Sequence, residues 1–205
     1  MKKLIILGYG GTCFDIADVA KATGEFEVLG FLDDSASGQS NQYPPLLGPL
    51  AKAGEYKDVF FVNGIGSPTS FTKRPEILEK LKIKNFATLI HPDATISPTA
   101  KMGAGSVIFS QCSIGAQAEV GCHVTVLQNS VIGHDSQVGD FSILAAGVIL
   151  SGRVLVGANS YLGAGCKVIQ DIKIGEKTLV GLGSSVISDI PSKEVWVGTP
   201  AKKLK

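Results

Sequence analysis

The C-terminal half of the chain repeats one aliphatic position every six residues. From Ile90 to Val186 every sixth residue is aliphatic, which makes seventeen consecutive positions without an exception. Two residues before each of them stands a small or β-branched residue. An α-helix turns about 100° per residue, so a column with a period of six would drift around its surface. Short strands joined by tight turns keep this period, and the pattern predicts a parallel β-helix of hexapeptide repeats.

Many of the 25 glycines stand directly after this aliphatic column. Nine of the seventeen units carry glycine there, among them Gly115, Gly133 and Gly157. Glycine adopts backbone conformations that other residues avoid. We therefore expect these glycines to form the turns between the strands.

The first ninety residues have a different pattern, which is typical of a small α/β unit. Apolar runs and helical spacing predict strands at 3–7, 27–32, 59–62 and 86–90 and helices at 14–22, ending at Gly24, and 75–82. This order predicts three or four parallel strands in a Rossmann-like unit. We place this unit at 1–88 and the β-helix at 89–205, with a C-terminal tail that leaves the period after Val186 and folds back across the last coil.

A glycine-rich turn follows the first predicted strand. Gly8 and Gly10 match the first two positions of the dinucleotide fingerprint, and Asp33 stands at about the distance of its ribose partner. The third glycine of the fingerprint is replaced by Cys13. The pattern therefore disfavours an NAD-dependent dehydrogenase, and it leaves open a nucleotide-binding half-fold or a plain tight turn.

The charge and composition of the chain argue against nucleic acid and a membrane as partners. The formal net charge is +1, and the charges form no long run, so nucleic acid is not expected as a partner. The apolar stretch after the N-terminus is too short for a signal peptide or a membrane span, and we expect a cytoplasmic protein without a membrane span. The four cysteines form no Cys-x-x-Cys pair, which favours reduced thiols packed as small apolar groups.

Five short motifs together resemble one family. They are Phe31-Leu32-Asp33-Asp34, Gly64-Ile65-Gly66, His91-Pro92-Asp93-Ala94, His134-Asp135 and Gly198-Thr199-Pro200-Ala201-Lys202. In this order, across the whole chain, they resemble the sialic-acid O-acetyltransferase and nucleotide-sugar N-acetyltransferase family. Its best-known type acetylates UDP-4-amino-4,6-dideoxy sugars in bacterial glycan synthesis. The resemblance implies a left-handed β-helix with three units per coil, a homotrimer, and acetyl-CoA bound between two neighbouring helices.

The resemblance also implies roles for single residues. His134 matches the general base of the family, and Asp135 matches the carboxylate that raises its basicity. The residues implied for the nucleotide sugar are Gly10, Gly11 and Thr12 at the phosphates, Asp33 and Asp34 at the uracil or ribose, and Gly66 at the sugar. Those implied for the pantetheine arm of acetyl-CoA are Gly152, Ala164 and Leu182.

Two positions depart from the family pattern. A histidine often stands nine residues after the base, where this chain has Ile143, and an asparagine usually stands seven residues before it, where this chain has Leu127. Isoleucine has no group that donates a hydrogen bond to a carbonyl. The departure leaves the acceptor open.

The resulting hypothesis is acetyl transfer from acetyl-CoA to the amino group of a nucleotide-linked sugar, by direct attack with His134 as base. Three other interpretations stay open: O-acetylation of a sialic-acid-like sugar, a non-catalytic nucleotide-sugar-binding solenoid, and a metal-dependent hydratase. His91, His123 and His134 fall on three different faces of the predicted triangle. We therefore expect no metal site and structural roles for His91 and His123.

Overall fold

The computed structural model describes residues 1–34 and 44–204. Its N-terminal part holds four parallel strands in the order β3-β2-β1-β4 and two helices. These elements are β1 (Lys2–Leu7), α1 (Gly11–Thr23), β2 (Phe26–Leu32), β3 (Leu46–Gly48), β4 (Phe60–Asn63) and α2 (Arg74–Leu81), with 3-10 turns at Leu50–Glu55 and Phe71–Lys73.

Three of the four strands and both helices predicted for the first ninety residues are confirmed. The runs at 3–7, 27–32 and 59–62 form β1, β2 and β4, and both predicted helices are present. Helix α1 ends where expected, because Gly24 takes a left-handed conformation (φ 69°) and its amide bonds to Lys21 O.

The prediction of one continuous strand at 86–90 is wrong. Phe86 forms an isolated parallel bridge with Phe61, and Leu89–Ile90 is already the first strand of the β-helix, β5. The apolar run crosses from one sheet to the other, so it cannot be a single strand. The fourth strand of the N-terminal sheet is instead β3, which was not predicted.

Seventeen two-residue strands follow at six-residue intervals and form three faces. The first face contains β5 (Leu89–Ile90), β8 (Val107–Ile108), β11 (Thr125–Val126), β14 (Ile143–Leu144), β17 (Tyr161–Leu162) and β20 (Leu179–Val180). The second face contains β6 (Thr95–Ile96), β9 (Ser113–Ile114), β12 (Val131–Ile132), β15 (Ile149–Leu150), β18 (Lys167–Val168) and β21 (Ser185–Val186). The third face contains β7 (Lys101–Met102), β10 (Glu119–Val120), β13 (Gln137–Val138), β16 (Leu155–Val156) and β19 (Lys173–Ile174).

Consecutive strands of one face lie eighteen residues apart and pair in parallel register, as Val126 does with Leu144. The three corners of the triangle are named here by position. The first corner joins the first face to the second, the second corner joins the second face to the third, and the third corner closes the coil.

The interior explains both columns of the repeat. The aliphatic side chains point inward, and Val126, Leu144 and Leu162 are fully buried. The column of small residues places hydroxyl groups beside the next coil. Ser136 Oγ donates to Ser151 O at 2.9 Å and accepts from Val154 N at 3.0 Å. A small polar residue is therefore satisfied inside the solenoid, where an unpaired hydroxyl would be costly.

The glycines of the repeat stand at the start of the turns, as expected, since Gly133 O accepts the Ser136 amide at 3.4 Å, but they do not take the left-handed conformation. The positive φ falls two residues after Gly133, at Asp135 (58°), and at the equivalent Arg153 (58°) and Asp171 (64°) of the next two coils. The glycine is required by the close stacking of coils, because a Cβ atom at Gly133 would lie 2.6 Å from the carbonyl carbon of Ser151.

The C-terminal tail continues the first face. Strand β22 (Val195–Val197) pairs in parallel with β20, and β23 (Lys202–Lys203) pairs antiparallel with β22. The tail thus covers the end of the last coil on this face. Among the helices of the described residues, none is long and apolar enough to cross a bilayer.

Candidate active site

His134 and Asp135 form a hydrogen-bonded pair on the second corner. They follow β12 and precede β13, and Nδ1 of His134 lies 2.6 Å from Oδ2 of Asp135. The side chains are 56 % and 51 % exposed, so the pair is open to a substrate. The carboxylate accepts the Nδ1 proton, which leaves Nε2 of the neutral ring as the proton acceptor.

Gly152 lies against the imidazole from the next coil. A Cβ atom at this position would lie 2.5 Å from Nε2 and 2.7 Å from Cε1 of His134. The absence of a side chain at residue 152 therefore makes room for the ring. Of the residues implied for the pantetheine arm, Gly152 is the one that the structure brings to His134.

The next two coils add charges to the same corner. Arg153 donates to both carboxylate oxygens of Asp171, from Nε at 2.6 Å and from Nη2 at 2.9 Å. The hydrogen bond with Asp171 raises the pKa of Arg153, and the same bond lowers the pKa of Asp171. Because Arg153 is engaged by Asp171, the carboxylate of Asp135 remains with His134. These two residues were missed from the sequence, although their spacing of eighteen from Asp135 places all three in one column.

A cavity of about 280 Å³ lies at the carboxyl ends of the N-terminal strands. Its lining includes five of the residues implied for the nucleotide sugar, namely Gly10, Gly11, Thr12, Asp33 and Gly66. We call it the nucleotide chamber. It opens at the N-terminus of α1, where no side chain within residues 1–34 and 44–204 caps the helix, and the first amides of a helix attract anions such as phosphate.

Asp33 and Asp34 are adjacent in sequence but lie in different surroundings. Asp33 lines the nucleotide chamber, and its Oδ2 accepts the Tyr9 amide at 3.1 Å. Asp34 is not part of the lining, and its Oδ1 accepts the Leu50 amide at 2.8 Å. The geometry thus brings Asp33 to the chamber and gives Asp34 a contact with the following 3-10 turn.

A second cavity, of about 200 Å³, adjoins the first and lies between the N-terminal unit and the first face of the β-helix. We call it the inner chamber. It shares Thr12 and the 64–67 loop with the nucleotide chamber, and its remaining lining residues are Pro68, Thr125, Leu127, Ile143 and Tyr161. Both positions that depart from the family pattern, 127 and 143, therefore line one chamber.

Ile143 also fits against the loop that carries Gly66. A Cβ atom at Gly66, whose φ is 144°, would lie 2.7 Å from Cδ1 of Ile143. Residue 66 therefore has to be glycine for two reasons, the backbone conformation and the contact with Ile143.

Arg74 of α2 joins the N-terminal unit to the β-helix. Its guanidinium is buried and donates to His123 O at 2.9 Å and Phe141 O at 2.8 Å on the third corner, and to Thr125 Oγ1 at 3.2 Å. Burial lowers the pKa of Arg74 to about 10, which keeps it charged at neutral pH. Asn159 Nδ2 adds a bond to Thr72 O at 3.1 Å. These contacts fix the two walls of the inner chamber relative to each other.

Ala164 and Leu182 lie on the first corner, eighteen residues apart. The second face separates them from His134 and Gly152 on the second corner. The second corner is also the one opposite the first face, which carries the inner chamber, and the filled interior of the β-helix lies between them. One chain therefore does not bring its candidate base, its nucleotide chamber and all its implied pantetheine contacts together.

Comparison with known proteins identifies relatives of this arrangement. Residues 3–81 match the PglD N-terminal domain family. The chain is 30 % identical to the acetyltransferase domain of PglB from Neisseria gonorrhoeae, with a TM-score of 0.90 and all of both chains covered. The same domain in complex with acetyl coenzyme A matches at 31 % identity over 99 % of each chain, with a TM-score of 0.90. The chain belongs to the nucleotide-sugar N-acetyltransferase family.

Two further relatives name nucleotide sugars. A mutant of perosamine N-acetyltransferase from Caulobacter crescentus, in complex with CoA and GDP-perosamine, is 27 % identical with a TM-score of 0.89, covering 99 % of this chain and 97 % of that one. The UDP-N-acetylbacillosamine N-acetyltransferase of Bacillus subtilis is 33 % identical over 116 residues, which are 54 % of this chain and 52 % of that protein. The match thus spans about half the length of this curated relative. The family and its left-handed parallel β-helix fold are as the sequence motifs implied.

The other two histidines, His123 and His91, make contacts within the fold of this family member. His123 on the third corner stacks on Phe141 at 4.9 Å and meets Phe86 edge-on at 4.5 Å. Burial, and then the charge of Arg74, lower the pKa of His123. His91 Nδ1 accepts the Asp93 amide at 3.1 Å. The three histidines lie at three different corners of the solenoid.

A long surface groove does not mark the candidate site of this family member. It has a volume of about 810 Å³ and runs along the outside of the third face. None of the site residues implied by the sequence lines it. The four cysteines are free thiols, and burial raises the pKa of both Cys13 and Cys166 to about 12, so neither is a nucleophile at neutral pH.

Proposed function

We propose that this chain transfers the acetyl group of acetyl-CoA to the amino group of a UDP-linked amino sugar, with His134 as the general base. The observation that carries the proposal is the 2.6 Å contact between His134 Nδ1 and Asp135 Oδ2 on an open corner. It leaves Nε2 as a proton acceptor next to Gly152, where a side chain would obstruct it. The acetyltransferase domain solved with acetyl coenzyme A and the perosamine N-acetyltransferase solved with CoA and GDP-perosamine support the same reaction.

The proposed step needs only the two substrates and the histidine. The amine nitrogen attacks the carbonyl carbon of the thioester, a C–N bond forms, and the C–S bond breaks. Nε2 of His134 takes a proton from the attacking amine, and this proton passes to the sulfur of the departing coenzyme A. Asp135 stabilises the imidazolium formed in between. A positioned base of this kind contributes about 10²- to 10⁴-fold to the rate.

The N-terminal unit supplies the binding site for the nucleotide. In our proposal the diphosphate lies at the uncapped start of α1, and Asp33 accepts a hydrogen bond from the ribose or the base. The adjoining inner chamber then takes the sugar, because it continues from the nucleotide chamber along Thr12 and the 64–67 loop.

A complete site requires a second copy of the chain, and we propose a homotrimer. His134 stands on the corner opposite the inner chamber, so the base has to come from a neighbouring chain. The second face supports this assembly, because apolar side chains are exposed on it or at its edges, at Ile149, Ile169, Leu182 and Ile187. The strands of the third face carry three charged residues, Lys101, Glu119 and Lys173, whereas those of the second face carry one, Lys167. In such an arrangement acetyl-CoA lies between the first corner of one chain and the second corner of the next.

The four free cysteines support a reducing compartment, and we infer that the reaction takes place in the cytoplasm.

A panel of acceptors tests the proposed reaction. Release of coenzyme A thiol is followed with UDP-linked amino sugars, GDP-linked amino sugars and free sialic acids, and the product is treated with hydroxylamine, which cleaves esters and leaves amides intact. We expect the fastest turnover with a UDP-linked amino sugar and a product that resists hydroxylamine. A hydroxylamine-sensitive product would establish O-acetylation instead. An absence of turnover with all three classes would favour the non-catalytic binding module.

A further inference from the structure

Tyr161 is the strand partner of Ile143 on the first face. The two residues pair directly between β14 and β17, one coil apart, and both line the inner chamber. The ring of Tyr161 also meets Phe71 of the N-terminal unit, with centroids 5.8 Å apart. This tyrosine thus stands where the β-helix faces the N-terminal unit.

Two other polar side chains of the inner chamber, those of Thr125 and Ser67, already have partners. Thr125 Oγ1 accepts from Arg74 at 3.2 Å. Ser67 Oγ is 2.8 Å from Ser70 Oγ and accepts the Thr69 amide at 3.3 Å. By contrast, the hydroxyl of Tyr161 makes no hydrogen bond within residues 1–34 and 44–204. Partial burial raises the pKa of Tyr161, so this hydroxyl keeps its proton at neutral pH.

Apart from Thr12, which the inner chamber shares with the nucleotide chamber, the remaining wall is apolar. Ile65, Pro68, Leu127 and Ile143 contribute no side-chain donor or acceptor. A sugar ring in this chamber has several hydroxyl groups and a ring oxygen that lose their water on binding. A hydrogen bond to one of them is therefore worth more here than in open solvent.

We propose that Tyr161 determines specificity for the sugar of the nucleotide sugar, through a hydrogen bond from its hydroxyl to a polar group of the sugar ring. The inference rests on the proposed function, because that function places the sugar in the inner chamber. It adds a residue that no sequence motif indicates. Tyr161 lines the inner chamber and is not part of the lining of the nucleotide chamber, so its contribution is confined to the sugar.

Binding of two ligands, the nucleotide sugar and its parent nucleoside diphosphate, distinguishes a contact of Tyr161 with the sugar from a purely structural role. The full chain, Tyr161→Phe and Tyr56→Phe are titrated by calorimetry with the nucleotide sugar preferred in the acceptor panel and with its parent nucleoside diphosphate. Tyr56 is the matched control, because it is partly buried against the core of the N-terminal sheet and lines neither chamber. Tyr161→Phe removes one oxygen atom and keeps the ring, so the unfolding temperature serves as a check of the fold.

We expect Tyr161→Phe to bind the nucleotide sugar about five- to tenfold more weakly, the effect of one hydrogen bond, and to bind the nucleoside diphosphate as the wild type does. The KM for acetyl-CoA should not change, and Tyr56→Phe should match the wild type with both ligands. Unchanged binding of the nucleotide sugar, or an equal loss for both ligands, would overturn the role of Tyr161 and leave the proposed function standing. A wild-type chain that binds no nucleotide sugar would overturn the proposed function and this inference together.

Discussion

A Cβ atom at Gly152 would lie 2.5 Å from Nε2 of His134. The nitrogen that we propose as the base therefore has its position because the next coil lacks a side chain at this point. The hydrogen bond to Asp135 holds the other nitrogen of the ring at 2.6 Å. Asp135 lies beside the imidazole because it is the next residue in the chain. Gly152 lies against the ring because it stands eighteen residues after His134, at the same position of the next coil.

Replacing Gly152 by alanine should displace the imidazole and reduce kcat about 10²-fold, because small misplacements of a reacting group have effects of this size. Steady-state kinetics at saturating substrates measures the change. Gly54→Ala is the control, because a Cβ atom there meets nothing within 4 Å. An active Gly152→Ala variant with wild-type kcat would show that the ring position in the structure is not the one used in catalysis.

Arg74 should be essential for the packing of the N-terminal unit on the β-helix. Arg74→Met removes the donors to two buried carbonyls, His123 O and Phe141 O, and we expect a loss of about 3 kcal/mol in the free energy of unfolding. Urea denaturation measures this loss. Lys80→Met on the same helix is the control, because Lys80 is exposed and its pair with Glu76 is a surface contact. Equal stability of the two variants would refute the role of Arg74.

The free energy of unfolding should decrease as the pH decreases, and part of this decrease should come from His123. Burial and the charge of Arg74 lower the pKa of His123 in the folded chain, whereas the unfolded chain binds the proton near pH 6.5. The unfolded state thus binds more protons as the pH decreases below about 6.5, and the free energy of unfolding decreases with it.

His123→Phe should reduce this dependence, because Nδ1 of His123 is buried with no hydrogen-bond partner among the described residues, and the ring already lies between Phe86 and Phe141. Unfolding temperatures between pH 7 and pH 5 test this expectation. His91→Phe serves for comparison. The same pH slope in His123→Phe and the wild type would contradict the explanation.

The assembly should depend on the second face. Ile187→Glu places a charge in the exposed apolar area there, and we expect it to convert the proposed trimer to monomers and to abolish turnover. Leu204→Glu changes another exposed apolar residue, in the C-terminal tail, and should leave the trimer intact. Light scattering coupled to gel filtration gives the mass of each variant. A wild-type monomer with full activity would contradict the shared site.

The sequence predicted those parts of the fold that depend on local order. Each coil packs on its neighbour at a fixed spacing, so a strict period of six specifies the whole β-helix, and Gly24 marks the end of α1 by its left-handed conformation. Strand β3 was missed because it has three residues, lies at the edge of the sheet and is flanked by Pro45 and Pro49. The reason why the repeat needs glycine in its turns was not visible, because the contact that glycine permits is with the next coil, eighteen residues away.

The sequence also predicted those parts of the candidate site that consist of neighbouring residues. The pair His134 and Asp135 is visible because the two residues are adjacent, and the glycines of the nucleotide chamber are visible as a motif. The inner chamber was not visible, because Tyr161 and Pro68 meet only when the N-terminal unit packs on the first face. Arg74 was missed for the same reason, since its partners lie 49 to 68 residues further along the chain.

The most direct test of the account is the kcat of His134→Gln with the preferred nucleotide sugar at saturating acetyl-CoA. Glutamine keeps a polar side chain at this corner but is not a base, so we expect kcat to fall by about 10²- to 10⁴-fold while the nucleoside diphosphate binds as before. His91→Gln should keep the wild-type kcat, because His91 lies four coils away from Ala164 and its Nδ1 already accepts the Asp93 amide. A His134→Gln variant that keeps kcat within a few-fold of the wild type would contradict the assignment of His134 as the base.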